Sequence, residues 1–253
     1  MSATHRQSPY SIAGKRILVT GASSGLGRQT AIACARAGAT MVICGRHADR
    51  LQATFSELRG TEHAMVRGDL ADDAAIAETV EAAGKVDGVV HFVGISVPMP
   101  VRMISREYLE RVFGANYFAP MLLTQRLLAK GRVNKGGSIL FLSSTAAFRG
   151  VHGMGVYSGT KAALVATTRC LALETAKHGI RVNCLAPDLI ETPLLEGSGT
   201  LVSTGEWLEQ QRKIHPLGLG TPDDVASTAI YFLSDASRWV TGTTLIMDGG
   251  ITH

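Results

Sequence analysis

The chain is predicted to fold as a single α/β domain, with seven parallel strands in a doubly wound sheet between two layers of helix. Three observations lead there. From Arg16 onward, short aliphatic or β-branched runs alternate with longer helical stretches, the order that joins parallel strands through crossover helices. Several of those runs are apolar throughout, as strands covered on both faces must be. A glycine-rich turn, Thr20-Gly21-Ala22-Ser23-Ser24-Gly25-Leu26-Gly27, ends the first strand and leads directly into a helix.

The strands are expected at Arg16–Thr20, Thr40–Cys44, Ala64–Arg67, Gly88–Phe92, Ser138–Leu142, Arg181–Leu185 and Thr244–Met247. Between them the pattern predicts helices over Arg28–Ala37, Ala48–Arg59, Asp72–Ala83, Arg106–Ala129, Ser158–Lys177 and Asp223–Ser234. From Leu189 to Gly220 there is no clear strand, only a short helix over Glu206–Ile214. Loops of that length inside compact domains are usually functional, so 189–220 is read as a substrate lid. Residues 1–13 read as a flexible extension ahead of a domain over 14–253.

With 253 residues and 45% hydrophobic content, the chain suits one large domain with a substantial core. The net charge is +4, but the basic residues are scattered and form no run of five, which argues against nucleic acid. Cys34, Cys44, Cys170 and Cys184 lie far apart among apolar neighbours and lack the close spacings of metal sites. They read as small buried hydrophobes, and no metal is expected. Nothing resembles a signal peptide, and no apolar run approaches the roughly 20 residues of a membrane span, so a cytoplasmic protein without membrane contact is expected.

The glycine turn carries the first chemistry. Glycines let a chain turn sharply and approach a pyrophosphate, whose charge the following helix N-terminus favours. Gly21, Ser23, Ser24, Gly25, Leu26 and Gly27 are therefore candidate cofactor-binding residues, a turn without ligand being the alternative. The spacing differs from G-x-G-x-x-G, and no Gly-Lys-Ser/Thr follows. The second strand ends in Cys44-Gly45-Arg46, where an acidic residue would hold an adenosine ribose and repel a 2′-phosphate. A small residue followed by a guanidinium favours the phosphorylated cofactor, unless Arg46 is merely solvated. Asp69 and Leu70 fall where an adenine ring would lie, although Asp69 also suits a helix cap.

Tyr157 and Lys161 are four apart, so on one helix their side chains are neighbours. A fixed ammonium beside a phenol lowers its pKa and makes it a usable proton donor or acceptor. Chance placement on a half-exposed helix face explains the pair alone equally well.

Taken together, the turn, the Tyr157/Lys161 pair and the strand order closely resemble the short-chain dehydrogenase/reductase family from Gly14 to Gly250. Thr20 to Gly27 matches its TGxxxGxG turn, Tyr157 to Lys161 its YxxxK, and Asp248-Gly249-Gly250 the ending common in its carbonyl and 3-oxoacyl-carrier-protein reductases. The resemblance implies a Rossmann fold, an NAD(P)(H) cofactor with NADP(H) favoured, and hydride transfer to or from a ketone or secondary alcohol. It implies Asn116, Ser144, Tyr157 and Lys161 as catalytic residues, with Tyr157 the general acid or base, Ser144 a donor to the substrate oxygen, and Ser143 its less favoured neighbour. Lys161 would also hold the nicotinamide ribose, and Asn116 would position a water leading to Lys161. Gly94, Pro187 and Thr192 are implied at the nicotinamide end, and Ser144, Phe148, His152, Tyr157 and Asp188 toward substrate, with Met154, Leu189 and Trp207 as further lining; Asp188 either contacts substrate or only reshapes its loop, and His152 either assists protonation or is a solvent-exposed loop histidine. Family members commonly form tetramers through two long helices, here Arg106–Ala129 and Ser158–Lys177, and the C-terminal strand. Two departures stand out. His91-Phe92-Val93-Gly94 replaces the usual Asn-Asn-Ala-Gly, with His91 read as structural, and Pro187-Asp188 replaces Pro-Gly. The rival function is a catalytically silent dinucleotide-binding sensor or scaffold.

Overall fold

A computed structural model describes residues 8–192 and 205–252. Seven parallel strands form one sheet in the order β3-β2-β1-β4-β5-β6-β7: Arg16–Thr20, Thr40–Gly45, Ala64–Arg67, Val86–His91, Val133–Leu142, Arg181–Pro187 and Thr244–Met247 for β1 to β7. The helices are Gly25–Arg36 (α1), Ala48–Ser56 (α2), Asp73–Ala83 (α3), Arg106–Phe113 (α4), Ala119–Ala129 (α5), Gly155–Ala176 (α6), Gly205–Ile214 (α7) and Pro222–Leu233 (α8).

Consecutive residues of β1 serve opposite faces, as a fully buried strand requires. Leu18 joins Ile76 and Val80 of α3, Leu123 and Leu127 of α5 and Leu164 of α6, while Ile17 and Val19 join Ala31 and Cys34 of α1 and Phe232 of α8. Local signals set the helix starts. Asp72 caps α3 by accepting from the Ala74 amide, and Thr221 and Asp224 form a capping box on α8 with Pro222 in its first turn. The chain leaves β1 and β4, which are neighbours, toward helices on opposite faces, and the crevice beyond their carboxyl ends is where doubly wound folds bind ligands.

Several boundaries differ from expectation. β5 begins at Val133 rather than Ser138, because Val133 pairs with Val86 across an irregularity that Asn134-Lys135-Gly136-Gly137 disguises as a loop. β4 ends at His91, so Phe92 is outside the strand. The long helix expected over Arg106–Ala129 is interrupted by a π turn at Gly114–Phe118, centred on Asn116. Within the expected flexible extension two points are anchored: Ile12 is fully buried among the α1 and α8 side chains, and the Pro9 carbonyl accepts from the Ala236 amide. Residues 1–7 of the extension and 193–204 of the lid lie outside the described residues. Cys34, Cys44 and Cys184 are buried, their thiols pushed up by burial to about 12, 11 and 12, but Cys170 is exposed on α6 and corrects the expectation for that position.

Candidate active site

The crevice is a cleft of about 960 Å³, within the range of small-molecule sites. One end is the glycine turn. A Cβ on Gly21 would lie 2.7 Å from the Phe92 carbonyl carbon, and Gly21 has φ +70. A Cβ on Gly27 would lie 2.4 Å from the Gly21 carbonyl oxygen, so both positions require glycine for close packing of turn, helix and strand. Ser24 takes the N-cap position of α1 without a side-chain cap bond, and no acidic residue lies in the first turn. The helix N-terminus is thus open to an anion. The Ser23 hydroxyl is buried without a partner among the described residues and lines the same cleft, against Gly45. A tight backbone cradle, a positive helix end and an unpaired hydroxyl fit the pyrophosphate of a dinucleotide.

At the neighbouring rim, Arg46 is joined by His47 and Arg50, two residues the sequence reading did not single out. They follow Arg46 by one and four positions at the start of α2, a helical spacing that was available as a signal. Arg46 approaches Asp69 at 3.7 Å and His47 at 3.3 Å. Desolvation and the charges of Arg50 and Arg46 hold His47 below the usual imidazole value. Asp69 accepts from the Ala71 amide at 3.0 Å, while Asp72 rather than Asp69 caps α3, and Leu70 is buried beside the cleft.

The other end of the cleft gathers Ser144, Tyr157 and Lys161. Ser144 follows β5, and Tyr157 and Lys161 stand on the first turns of α6, with the Lys161 Nζ 5.6 Å from the Tyr157 ring centroid. Lys161 is 2% exposed, and its ammonium donates to the Leu142 carbonyl at 2.8 Å. Burial moves the two groups in opposite directions. The Tyr157 phenol is pushed above its ordinary value, with its hydrogen bond to Ser144 acting the other way, and Lys161 is pushed down to about 8. This corrects the expectation of a tyrosine lowered by Lys161, because desolvation outweighs the contribution of Ser144. Ser143 is separated from its neighbour by orientation: its hydroxyl is buried and donates to the Lys161 carbonyl at 2.9 Å, so Ser144 faces the cleft and Ser143 anchors α6 to β5.

Asn116 is fully buried in the π turn. Its carbonyl accepts from the Ile95 amide at 2.7 Å, and its amide donates to the Ile95 carbonyl at 3.0 Å and to Thr160 at 3.1 Å. These bonds compensate the disturbed helix ladder and pin the Gly94-Ile95 segment, with Asn116 Oδ1 and Lys161 Nζ 3.1 and 3.5 Å from where a Gly94 Cβ would stand. His91 is buried, stacked on Phe141 at 5.0 Å and bonded to Thr124 at 2.8 Å; burial holds it near 3, hence neutral. It supports the strand rather than the cleft.

Pro187, Thr192, His152, Met154, Leu189 and Trp207 line the cleft as expected. Phe148 does not. It is half-exposed and faces a separate small cavity with Ile246 and Ile251, because the 3-10 turn Thr145–Ala147 carries it to the far side. Asp188 lines the cleft, yet its oxygens are taken by Thr145, Arg149 and His215, so of its two expected roles the loop-shaping one fits and the substrate contact does not. Arg149 and His215 were missed, since residues 39 and 27 positions from Asp188 meet it only through tertiary structure. Among the described residues no group of three or more His, Cys, Asp or Glu is placed to hold a metal, and no helix is long and apolar enough to cross a membrane.

A family model described as enoyl-(acyl carrier protein) reductase matches residues 21–252. L-rhamnose 1-dehydrogenase (NAD(P)(+)) of Sphingomonas sp. is 35% identical over 251 residues, covering 94% of this chain and 96% of that protein. The chain belongs to the short-chain dehydrogenase/reductase family. Among solved members, a glucose/ribitol dehydrogenase from Brucella melitensis is 30% identical with a TM-score of 0.88, covering 95% of this chain and 98% of that one. A Beutenbergia cavernae protein proposed to be an NAD(P)-dependent gluconate 5-dehydrogenase, with NADP bound at low occupancy, is 32% identical with a TM-score of 0.85, covering 97% and 99%. The seven-stranded Rossmann-like sheet is the one this family shares, and the chain is an oxidoreductase of the alcohol/carbonyl class.

Proposed function

We propose that the protein is an NADP(H)-preferring reductase of ketones, and dehydrogenase of the matching secondary alcohols, with Tyr157 as the proton-transferring group. The observation that carries this reading is the convergence of Ser144, Tyr157 and Lys161 at one end of a cleft whose other end is the glycine cradle. The nicotinamide cofactor supplies or takes the hydride, and the chain binds, orients and moves one proton. Tyr157, whose phenol burial holds above its ordinary value, donates to the substrate oxygen in the reductive direction. Ser144 donates to the same oxygen as charge develops there. Lys161 holds the nicotinamide ribose. Asn116 fixes the Gly94-Ile95 segment beside Lys161, with both of its side-chain amide hydrogens engaged by Ile95 and Thr160. Gly94, Pro187 and Thr192 attend the nicotinamide end, and Asp69 and Leu70 the adenine.

Arg46, with His47 and Arg50, favours a 2′-phosphate. A charge-assisted hydrogen bond is worth about 1.5–3 kcal/mol, and the exposure of Arg46 and its approach to Asp69 bring the expected preference for NADPH to about tenfold or more. Relatives named for rhamnose, glucose and ribitol support a small polar substrate, while the Asp248-Gly249-Gly250 ending keeps 3-oxoacyl thioesters in view. Assembly through the two long helices and β7 is supported by exposed Phe118, Leu122 and Leu173 on those helices, in a cytoplasmic homotetramer. The test is NADPH and NADH oxidation with ketoses, simple ketones and 3-oxoacyl thioesters, with products identified by mass. Turnover with a higher kcat/KM for NADPH supports the reading. Tight NADPH binding without turnover of any member supports the silent sensor instead, and an NADH preference refutes the role given to Arg46.

A further inference from the structure

Asp188, at the end of β6, is 8% exposed in its side chain, and both oxygens are saturated. Oδ1 accepts from Thr145 Oγ1 and Arg149 Nη2, each at 2.8 Å. Oδ2 accepts from Arg149 Nη2 at 2.8 Å and lies 3.2 Å from His215 Nε2, whose other ring nitrogen is 2.7 Å from the Gln211 carbonyl. The Asp188 amide donates to the Met247 carbonyl at 2.9 Å. One carboxylate therefore joins the loop after β5, the end of β6 and the end of α7. Thr145 directly follows Ser144, so the position of this network relative to the Ser144 hydroxyl is fixed through a single peptide unit.

A saturated carboxylate cannot take a further donor from substrate, but the arginine it holds has donors to spare. A guanidinium carries five N–H groups in a rigid fork. Among the described residues only Nη2 of Arg149 is engaged, leaving the N–H groups of Nε and Nη1 without a partner. The side chain is 38% exposed and lines the same cleft as Ser144 and Tyr157. Its grip on Asp188 orders it in advance, which reduces the entropy lost when a ligand binds.

We propose that Arg149, held by Asp188, selects substrates whose carbonyl meets Ser144 and whose far end carries an oxygen acceptor, either a hydroxyl or a carboxylate. This rests on the reading of the cleft as a ketone-reducing site. A site built to hydrogen-bond an oxygen rejects analogues lacking it, because its donors are then desolvated and unpaired. Partial exposure of Arg149 moderates that rejection, so the expected discrimination is about 10- to 100-fold in kcat/KM.

The test uses the full chain with NADPH and three ketones of equal carbon count, ending in a methyl, a hydroxymethyl or a carboxylate. Wild type is expected to favour one of the oxygen-ended members at least tenfold over the methyl-ended one, and the winning member identifies which oxygen group is read. Arg149→Met should bring that ratio to within about twofold, mainly through KM, and Asp188→Asn should lower it in the same direction, with NADPH fluorescence reporting that each variant is folded. A ratio that both substitutions leave unchanged, or a wild type without preference, overturns the inference. If wild type reduces none of the three, the ketone reading itself fails. Calorimetric titration of the same ketones into the NADP⁺ complex then decides the Arg149 contact, and absent binding or equal affinity in wild type and Arg149→Met overturns it too.

Discussion

Replacing Lys161 by methionine separates what that residue does for stability from what it does for chemistry. The side chain is 2% exposed, and burial brings its ammonium from the ordinary 10.5 down to about 8. At roughly 1.4 kcal/mol per pH unit, the folded protein bears about 3 kcal/mol against the charged form. The hydrogen bond to the Leu142 carbonyl, about 1.5–3 kcal/mol for a charged donor, opposes this at neutral pH, so the net effect of Lys161→Met at pH 7 is small. The pH dependence is not. In the unfolded chain the lysine keeps its proton up to about 10.5, whereas in the folded chain it loses it from about 8 upward. Between those values the unfolded state holds more protons, so wild-type stability rises with pH relative to the methionine variant. Below about 8 both states are protonated and the difference is flat. Urea unfolding of both proteins at pH 7 and pH 10 should show the variant losing about 2 to 3 kcal/mol against wild type over that interval, together with loss of turnover. A stability difference independent of pH would refute the claim that Lys161 is held desolvated.

Gly27→Ala places a methyl 2.4 Å from the Gly21 carbonyl oxygen, against backbone that cannot rotate away. Overpacking of this kind costs about 1–3 kcal/mol, so Tm should fall by at least about 2 °C and NADPH affinity by tenfold or more in fluorescence titration; an unchanged affinity would argue against the phosphate cradle. Ser144→Ala and Ser143→Ala should part company. The first should lower kcat by about 10²–10³ with little change in stability, and the second should mainly lower stability, by about 0.5–1.5 kcal/mol, by removing the bond that ties α6 to the end of β5; equal kcat losses in the two would undo the distinction.

Much of the fold was legible because each buried strand is a short apolar run and each crossover begins with a local stop or cap. Val19 and Ile43 belong to strands with no exposed face, and Thr221 with Asp224 announces a helix start. The cofactor end was legible for a similar reason, since Gly21, Gly25 and Gly27 act through backbone geometry that only glycine supplies in one continuous turn. Tyr157 and Lys161 share one helix, so their spacing carried the message. What depended on contacts between distant segments was hidden. The π turn at Asn116 follows from bonds to Ile95 and Thr160 in other elements. Phe148 is an apolar residue near Ser144 in sequence that the 3-10 turn carries to the wrong side. Asp188 gave no sign that it would be consumed by Thr145, Arg149 and His215, and Ile12 none that its side chain would enter the core.

The central claim is that Tyr157 moves the proton while the remainder of the cleft holds cofactor and substrate. Its most direct test is Tyr157→Phe, with NADPH affinity and steady-state turnover measured on the same preparation. The phenyl ring keeps the packing of α6 and removes only the hydroxyl. General acid catalysis contributes about 10²–10⁴, so the account predicts a Kd for NADPH within about threefold of wild type and a kcat at least about 100-fold lower. A variant that binds NADPH normally and turns over within threefold of wild type would contradict it.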